Sequence, residues 1–212
     1  VAVIVASGPS LRKIDLQLAR GRAKVLAIKQ NVDICPWADV VYGCDAAWWK
    51  HRRGLPEYTG LKMCWAGNEV AREYPGLVGV TIKPAKKGPD YSDQLQFDGT
   101  VGGGGNSGFQ ALNLVAQFGA PFIILTGLDL NDRNGAHWYG RNNWSMANNP
   151  TPGNFQRWLK AFEMAAPVLA DRGFTVVNAS PASDLKAFPT KPFAQALDEF
   201  TAACEAINLD RV

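Results

Sequence analysis

Two runs of consecutive apolar residues most restrict the folds open to this chain. Val1-Ala2-Val3-Ile4-Val5-Ala6 and Phe122-Ile123-Ile124-Leu125 show no alternation of apolar and polar positions. A strand with one wet face alternates, whereas a strand covered on both faces does not. Each run ends in small or polar residues, Ser7-Gly8-Pro9-Ser10 after the first and Thr126-Gly127-Leu128-Asp129 after the second. Further short runs read as strands at Lys24–Ile28, Val40–Tyr42, Leu61–Trp65, Leu77–Ile82 and Phe174–Val177. Helical stretches are read at Leu11–Ala19, from Trp48 to about Arg53, up to Phe118, over Asn154–Asp171 and over Lys191–Ile207. This alternation predicts an α/β chain with an open, mostly parallel Rossmann-like sheet of about seven strands and helices on both faces. At 212 residues, a single such domain is expected, with a polar lid-like loop at about 131–152.

The stretch from Val101 to Tyr139 carries the densest chemistry. Gly102-Gly103-Gly104-Gly105-Asn106-Ser107-Gly108 opens a helix with Phe109, Leu112, Val115 and Ala116 on one face. Asn106 or Ser107 can cap its start. Glycines let a backbone approach an anion closely, and a helix start offers unpaired N–H groups, so the loop fits a phosphate site. Four glycines in a row fit a mobile loop equally well. In an open parallel sheet, ligands bind beyond the carboxyl ends of the strands. The polar residues Ser7–Ser10, Asn31, Asp45, Asp129, His137 and Asn178–Ser180 all follow expected strands. They are therefore expected along one rim. Gly-x-Gly-x-x-Gly is absent after the first strand, which disfavours a standard NAD site.

His137 lies in an aromatic loop, His137-Trp138-Tyr139, and the only other histidine is His51. A histidine near neutrality can take a proton from an acceptor hydroxyl. Asp129 can orient a backbone or ligand hydroxyl, or simply cap the end of its strand. Asp45 can meet a ribose, a metal or its own loop. The net charge of +3 includes no dense basic block, which argues against specific nucleic-acid binding. The short groups Lys50-His51-Arg52-Arg53 and Lys83…Lys86-Lys87 read as solvated surface or as steering for an anionic ligand. Cys35, Cys44, Cys64 and Cys204 lack metal-ligand spacing and read as reduced thiols of a cytoplasmic protein. No apolar run approaches a membrane span, and Val1–Ala6 is too short for a signal peptide. A homo-oligomer is compatible with all of this.

The opening Val3-Ile4-Val5-Ala6-Ser7-Gly8-Pro9-Ser10-Leu11 resembles the first strand and Gly-Pro-Ser-Leu turn of metal-independent, CMP-donor bacterial sialyltransferases. It is also similar to the MptE-like family, which includes 6-hydroxymethylpterin diphosphokinases. Both continue with a small-residue turn like Asn106-Ser107-Gly108, an apolar helix, a strand ending like Gly127-Leu128-Asp129, and a His–aromatic pair like His137-Trp138. The resemblance implies a nucleotide-activated donor, CMP- or another nucleotide-sugar, with His137 as general base. It places donor contacts at Asn31 and at Asn178-Ala179-Ser180-Pro181. Gly8, Pro9, Ser10, Asp45, Gly104, Asn106 and Ser107 complete the expected nucleotide-binding set. The stretch Pro36–Asp45 looks more like the MptE-like group, which implies Mg²⁺-dependent pyrophosphate transfer with Asp45 or Asp129 near the metal. A third reading is a protein that holds a nucleotide or related metabolite without turning it over.

Overall fold

The computed structural model of the protein describes residues 1–67, 69–83 and 94–209. Seven strands form one sheet: β1 (Ala2–Val5), β2 (Lys24–Ile28), β3 (Val40–Gly43), β4 (Leu61–Trp65), β5 (Leu77–Val80), β8 (Phe122–Thr126) and β9 (Thr175–Asn178). Their order is β5-β4-β3-β2-β1-β8-β9, and every pairing is parallel. The expected sheet is thus present and parallel throughout. The two most apolar runs are the neighbours β1 and β8 near its middle. There β1 is buried on both faces, with Ala2 and Ile4 in one core and Val3 and Val5 in the other.

The first core is closed by α3 (Ser107–Gln117) and α4 (Pro152–Asp171). The second is closed by α1 (Ala46–His51), α5 (Phe193–Leu209) and the chain after β1. Trp48 and Trp49 of α1 are fully buried in this second core. Both long helices on the first face begin as their sequences direct. Asn106 accepts from the Phe109 amide at 2.8 Å to start α3. Thr151 and Asn154 form a reciprocal capping box at the start of α4, with Pro152 in its first turn.

Two expectations need correction. The helix read over Leu11–Ala19 is instead two short 3-10 turns, Pro9–Lys13 and Leu16–Ala19. Ile14 is extended between them, and the Asp15 carboxylate accepts from the Gln17 amide at 3.1 Å, restarting the chain. The strand read over Leu77–Ile82 stops at Val80. Ile82–Lys83 (β6) then pairs in parallel with Val101–Gly102 (β7) in a separate two-stranded sheet. Lys83, read as surface or as steering for an anion, thus ends β6, while residues 84–93, including Lys86 and Lys87, lie outside the described residues. A short helix, α2 (Val70–Glu73), lacked enough length to show periodicity. Among the described residues the four cysteines form no disulfide, and no helix is long and apolar enough to cross a membrane.

Candidate functional site

From β1, successive strands are added outward to β5, and the chain then returns to add β8 and β9 on the other side. The strand order therefore reverses beside β1, the place where open parallel sheets hold ligands. A cavity of ≈ 660 Å³ lies there. Its floor is Ser7 and Gly8 after β1, Lys29 after β2, Asp45 after β3, and Gly127–Asn131 after β8. Gly105–Gly108, the first turns of α4, His137, Asn142 and residues 148–151 complete the lining.

The floor is an interlock between segments far apart in sequence. The Gly8 amide donates to the Gly127 carbonyl at 2.7 Å. The Ser10 amide donates to Asp129 Oδ2 at 2.9 Å, and the Ser10 hydroxyl donates to Oδ1. A Cβ on Gly8 would lie 2.5 Å from the Asp129 carboxylate carbon, so only glycine admits this approach. On the far side, Ser180 Oγ accepts from the Leu128 amide at 3.0 Å and Ser183 Oγ donates to the Leu128 carbonyl at 2.5 Å. Asn178 in turn holds Ser180, accepting from its amide at 3.0 Å. The motifs Gly-Pro-Ser, Gly-Leu-Asp and Ser-Pro-x-Ser accompany one another because each satisfies the buried polar groups of the next.

The glycine loop is equally well tied. Asn113 Oδ1 accepts from the Gly102 amide at 2.8 Å, Gln110 Nε2 donates to the Gly103 carbonyl at 2.7 Å, and Trp158 Nε1 donates to the Gly105 carbonyl at 2.8 Å. Gly104 and Gly105 have φ of +57° and +68°, a conformation that other residues rarely adopt. These turns present the start of α3 to the cavity. Neither α3 nor α4 carries an acidic residue in its first turn, so their positive ends are not neutralised locally. Arg157 of α4 lies against Gly105 and lines the same cavity, with no ion-pair partner among the described residues.

The His137 loop, expected to be lid-like, is tied to the segments after β1 and β2. The Trp138 amide donates to the Ser7 carbonyl at 2.8 Å and its indole N–H donates to Asn31 Oδ1 at 2.7 Å. Arg12 donates to the Trp138 carbonyl, and Trp144 stacks on His51. Asn142 Nδ2 donates to the Asn148 carbonyl at 2.6 Å while its Oδ1 accepts from the Tyr139 hydroxyl at 2.9 Å. A carbonyl requires a donor, so this amide orientation is set. Nδ2 then faces His137 Nε2 at 3.4 Å and casts that nitrogen as the acceptor. The imidazole stacks on the Tyr139 ring with centroids 5.0 Å apart.

Burial, reinforced by Lys29 and Arg141, pushes the His137 pKa down from 6.5 to about 4. The imidazole is therefore neutral at pH 7. The same shift makes a stability prediction. Between pH 6.5 and 4 the unfolded chain binds this proton more readily than the folded one. The contribution is thus complete above pH 6.5 and is lost as pH falls toward 4. Thermal unfolding across that window should show His137→Gln losing less stability than the unmodified protein, by roughly 2 kcal/mol after allowance for partial exposure.

Of the residues singled out from sequence, Gly8, Asp45, Asn106, Ser107, Asp129 and His137 line the cavity. Pro9, Ser10, Asn31, Gly104, Asn178 and Ser180 do not. Asn31 is fully buried behind the floor, its Nδ2 donating to the Val5 and Ile28 carbonyls, both at 2.8 Å. Asn178 and Ser180 brace the Leu128 backbone as above. Gly104 shapes the loop, and Pro9 starts the turn that carries Ser10. Sequence reasoning missed Lys29, Arg157 and Asn142. A cation directly after an apolar strand, and another in the second turn of a helix without acids in its first, were the available signals. Among the described residues no group of three or more His, Cys, Asp or Glu side chains could hold a metal ion. Both Asp129 oxygens accept from Ser10, whereas Asp45 is half exposed and paired with Lys29 at 2.6 Å. No protein-family model matches this chain, and no curated protein matches it.

Proposed function

We propose that the protein is a transferase using a nucleotide-activated donor, most simply a nucleotide-sugar, with His137 removing the proton from the acceptor hydroxyl. The supporting observation is the meeting of unlike groups in one cavity. Two helix starts without acidic residues, the Arg157 guanidinium and a neutral imidazole all line it. The helix starts and the guanidinium favour a phosphate, and the imidazole accepts a proton. A volume of ≈ 660 Å³ suits a ligand of nucleotide size. The order of motifs shared with sialyltransferases and MptE-like proteins supports the same reading.

In this reading the acceptor oxygen forms a bond to the donor carbon as the bond from that carbon to the phosphate oxygen breaks. The proton passes to His137 Nε2, and the charge released on the phosphate is met by the start of α3 and Arg157. The Asn142 contact to Nε2 is long, so an acceptor hydroxyl can compete for it. A bound phosphate also offsets the field of Lys29 and Arg141, which raises the basicity of His137 once the donor is in place.

A thermal-shift panel of CMP, CDP, UDP, GDP, ATP and NAD, with and without Mg²⁺, tests the reading. At least one nucleotide should raise the unfolding temperature without metal. Arg157→Ala should weaken that binding by roughly 10- to 100-fold. A shift seen only with Mg²⁺ would favour the diphosphokinase reading, and no shift with any nucleotide would end both.

A further inference from the structure

Lys29 is an unusual residue for its place. It has φ of +51°, a left-handed conformation that glycine adopts freely and a lysine adopts under strain. Its neighbours impose that conformation. Gln30 Oε1 accepts from the Trp48 indole N–H at 2.6 Å, and the Asn31 amide is tied to β1 and β2. The stem of Lys29 passes over Gly43, where an added Cβ would sit 3.1 Å from Lys29 Cγ. A glycine at the end of β3 thus leaves room for the lysine. The side chain is largely covered, 20% exposed, and the residue lines the cavity floor. Its ammonium reaches a single carboxylate among the described residues, Asp45 at 2.6 Å, itself 50% exposed on the same floor.

We propose that Lys29 is a phosphate ligand held in reserve by Asp45: on binding, a phosphate oxygen of the nucleotide takes the place of the Asp45 carboxylate on the Lys29 ammonium. This deepens, and rests on, the reading of the cavity as a nucleotide site. The exchange needs no covalent chemistry. One charge-assisted hydrogen bond replaces another, and Asp45, being half exposed, is released to water at little cost. The arrangement explains why a strained lysine occupies a turn that glycine would fill more easily. It also separates two anion positions, one at Lys29 and one beside Arg157 and the start of α3. A ligand with a di- or triphosphate, or a phosphate and a second acidic group, can engage both.

The test uses variants with effects of opposite sign. Titration calorimetry with CMP, CDP and inorganic pyrophosphate measures affinity in the unmodified protein, Lys29→Met and Asp45→Asn. Lys29→Met, which keeps the stem over Gly43, should weaken binding by roughly ten-fold or more. Asp45→Asn removes the competing carboxylate and should tighten binding by about three- to ten-fold. Lys29→Gly provides a second variant that relieves the backbone, and it should lose the same affinity while keeping its unfolding temperature. Unchanged affinity in both lysine variants, or weaker binding in Asp45→Asn, overturns the proposal. In those cases the unmodified protein still binds nucleotide, so the proposed function stands. If the unmodified protein binds none of the three ligands, the underlying reading fails as well, and the inference falls with it.

Discussion

Replacing His137 with Gln is expected to slow acceptor-dependent consumption of the donor by roughly 10²–10⁴-fold. Nucleotide affinity should change little, because the groups proposed to meet the phosphate are Arg157, Lys29 and the start of α3, not the imidazole. Glutamine is the informative replacement. Its side-chain oxygen can accept from Asn142 Nδ2 as His137 Nε2 does, so the Asn142–Asn148–Tyr139 cluster keeps its hydrogen bonds. What it cannot do is hold the transferred proton. A fall in kcat without a matching rise in KM identifies a group acting in the transition state. Turnover within a few-fold of the unmodified protein removes His137 from the proposed chemistry. The neutral imidazole would then be a packing partner of the Tyr139 ring.

The second large effect is on stability. Gly127 has φ of +64°, and a Cβ there would overlap the Ala6 carbonyl oxygen and lie 2.8 Å from its carbon. Both obstacles are backbone, so no side chain can move aside. Gly127→Ala should cost about 3 kcal/mol or more, combining left-handed strain with displacement of β1 from β8. For a chain of this size that lowers the unfolding temperature by roughly 6–12 °C. Gly119→Ala is the matched control, since its φ is +80° but nothing lies within 4 Å of the added carbon. It carries the conformational strain alone, and about 1 kcal/mol is expected. Equal losses in the two variants would show that the close approach of β1 and β8 contributes nothing.

The sheet was legible in the sequence because a strand buried on both faces leaves an unbroken apolar run, and β1 and β8 do so plainly. The start of α3 was legible for a similar reason, since Asn106 acts locally, whereas α4 was read only from Asn154, two residues past its start. The turns after β1 were not. Leu11, Leu16 and Ala19 are buried at a spacing close to a helical one, but Ile14 is extended and the Asp15 carboxylate accepts from the Gln17 amide, which breaks the segment in two. Convergence of the polar rim was also readable, but the duties of its members were not. Asn31 and Ser10 look like ligand-binding residues in sequence, yet their polar atoms are engaged with Val5, Ile28 and Asp129. A one-dimensional reading cannot tell a side chain aimed at a ligand from one that ties down the strand behind it. Arg157 was hidden by the converse problem, since its meaning depends on lying against Gly105, 52 positions earlier in the chain.

The central position of β1 has a consequence for synthesis. It pairs with β2 as soon as that neighbour is made, but its other edge waits for β8, about 120 residues later. At ribosomal speeds that delay is on the order of ten seconds. During it, one edge of the most apolar strand in the protein has no native partner, and the cavity floor cannot close. Nascent chains stalled between β5 and β8 should therefore be the form most avidly held by chaperones.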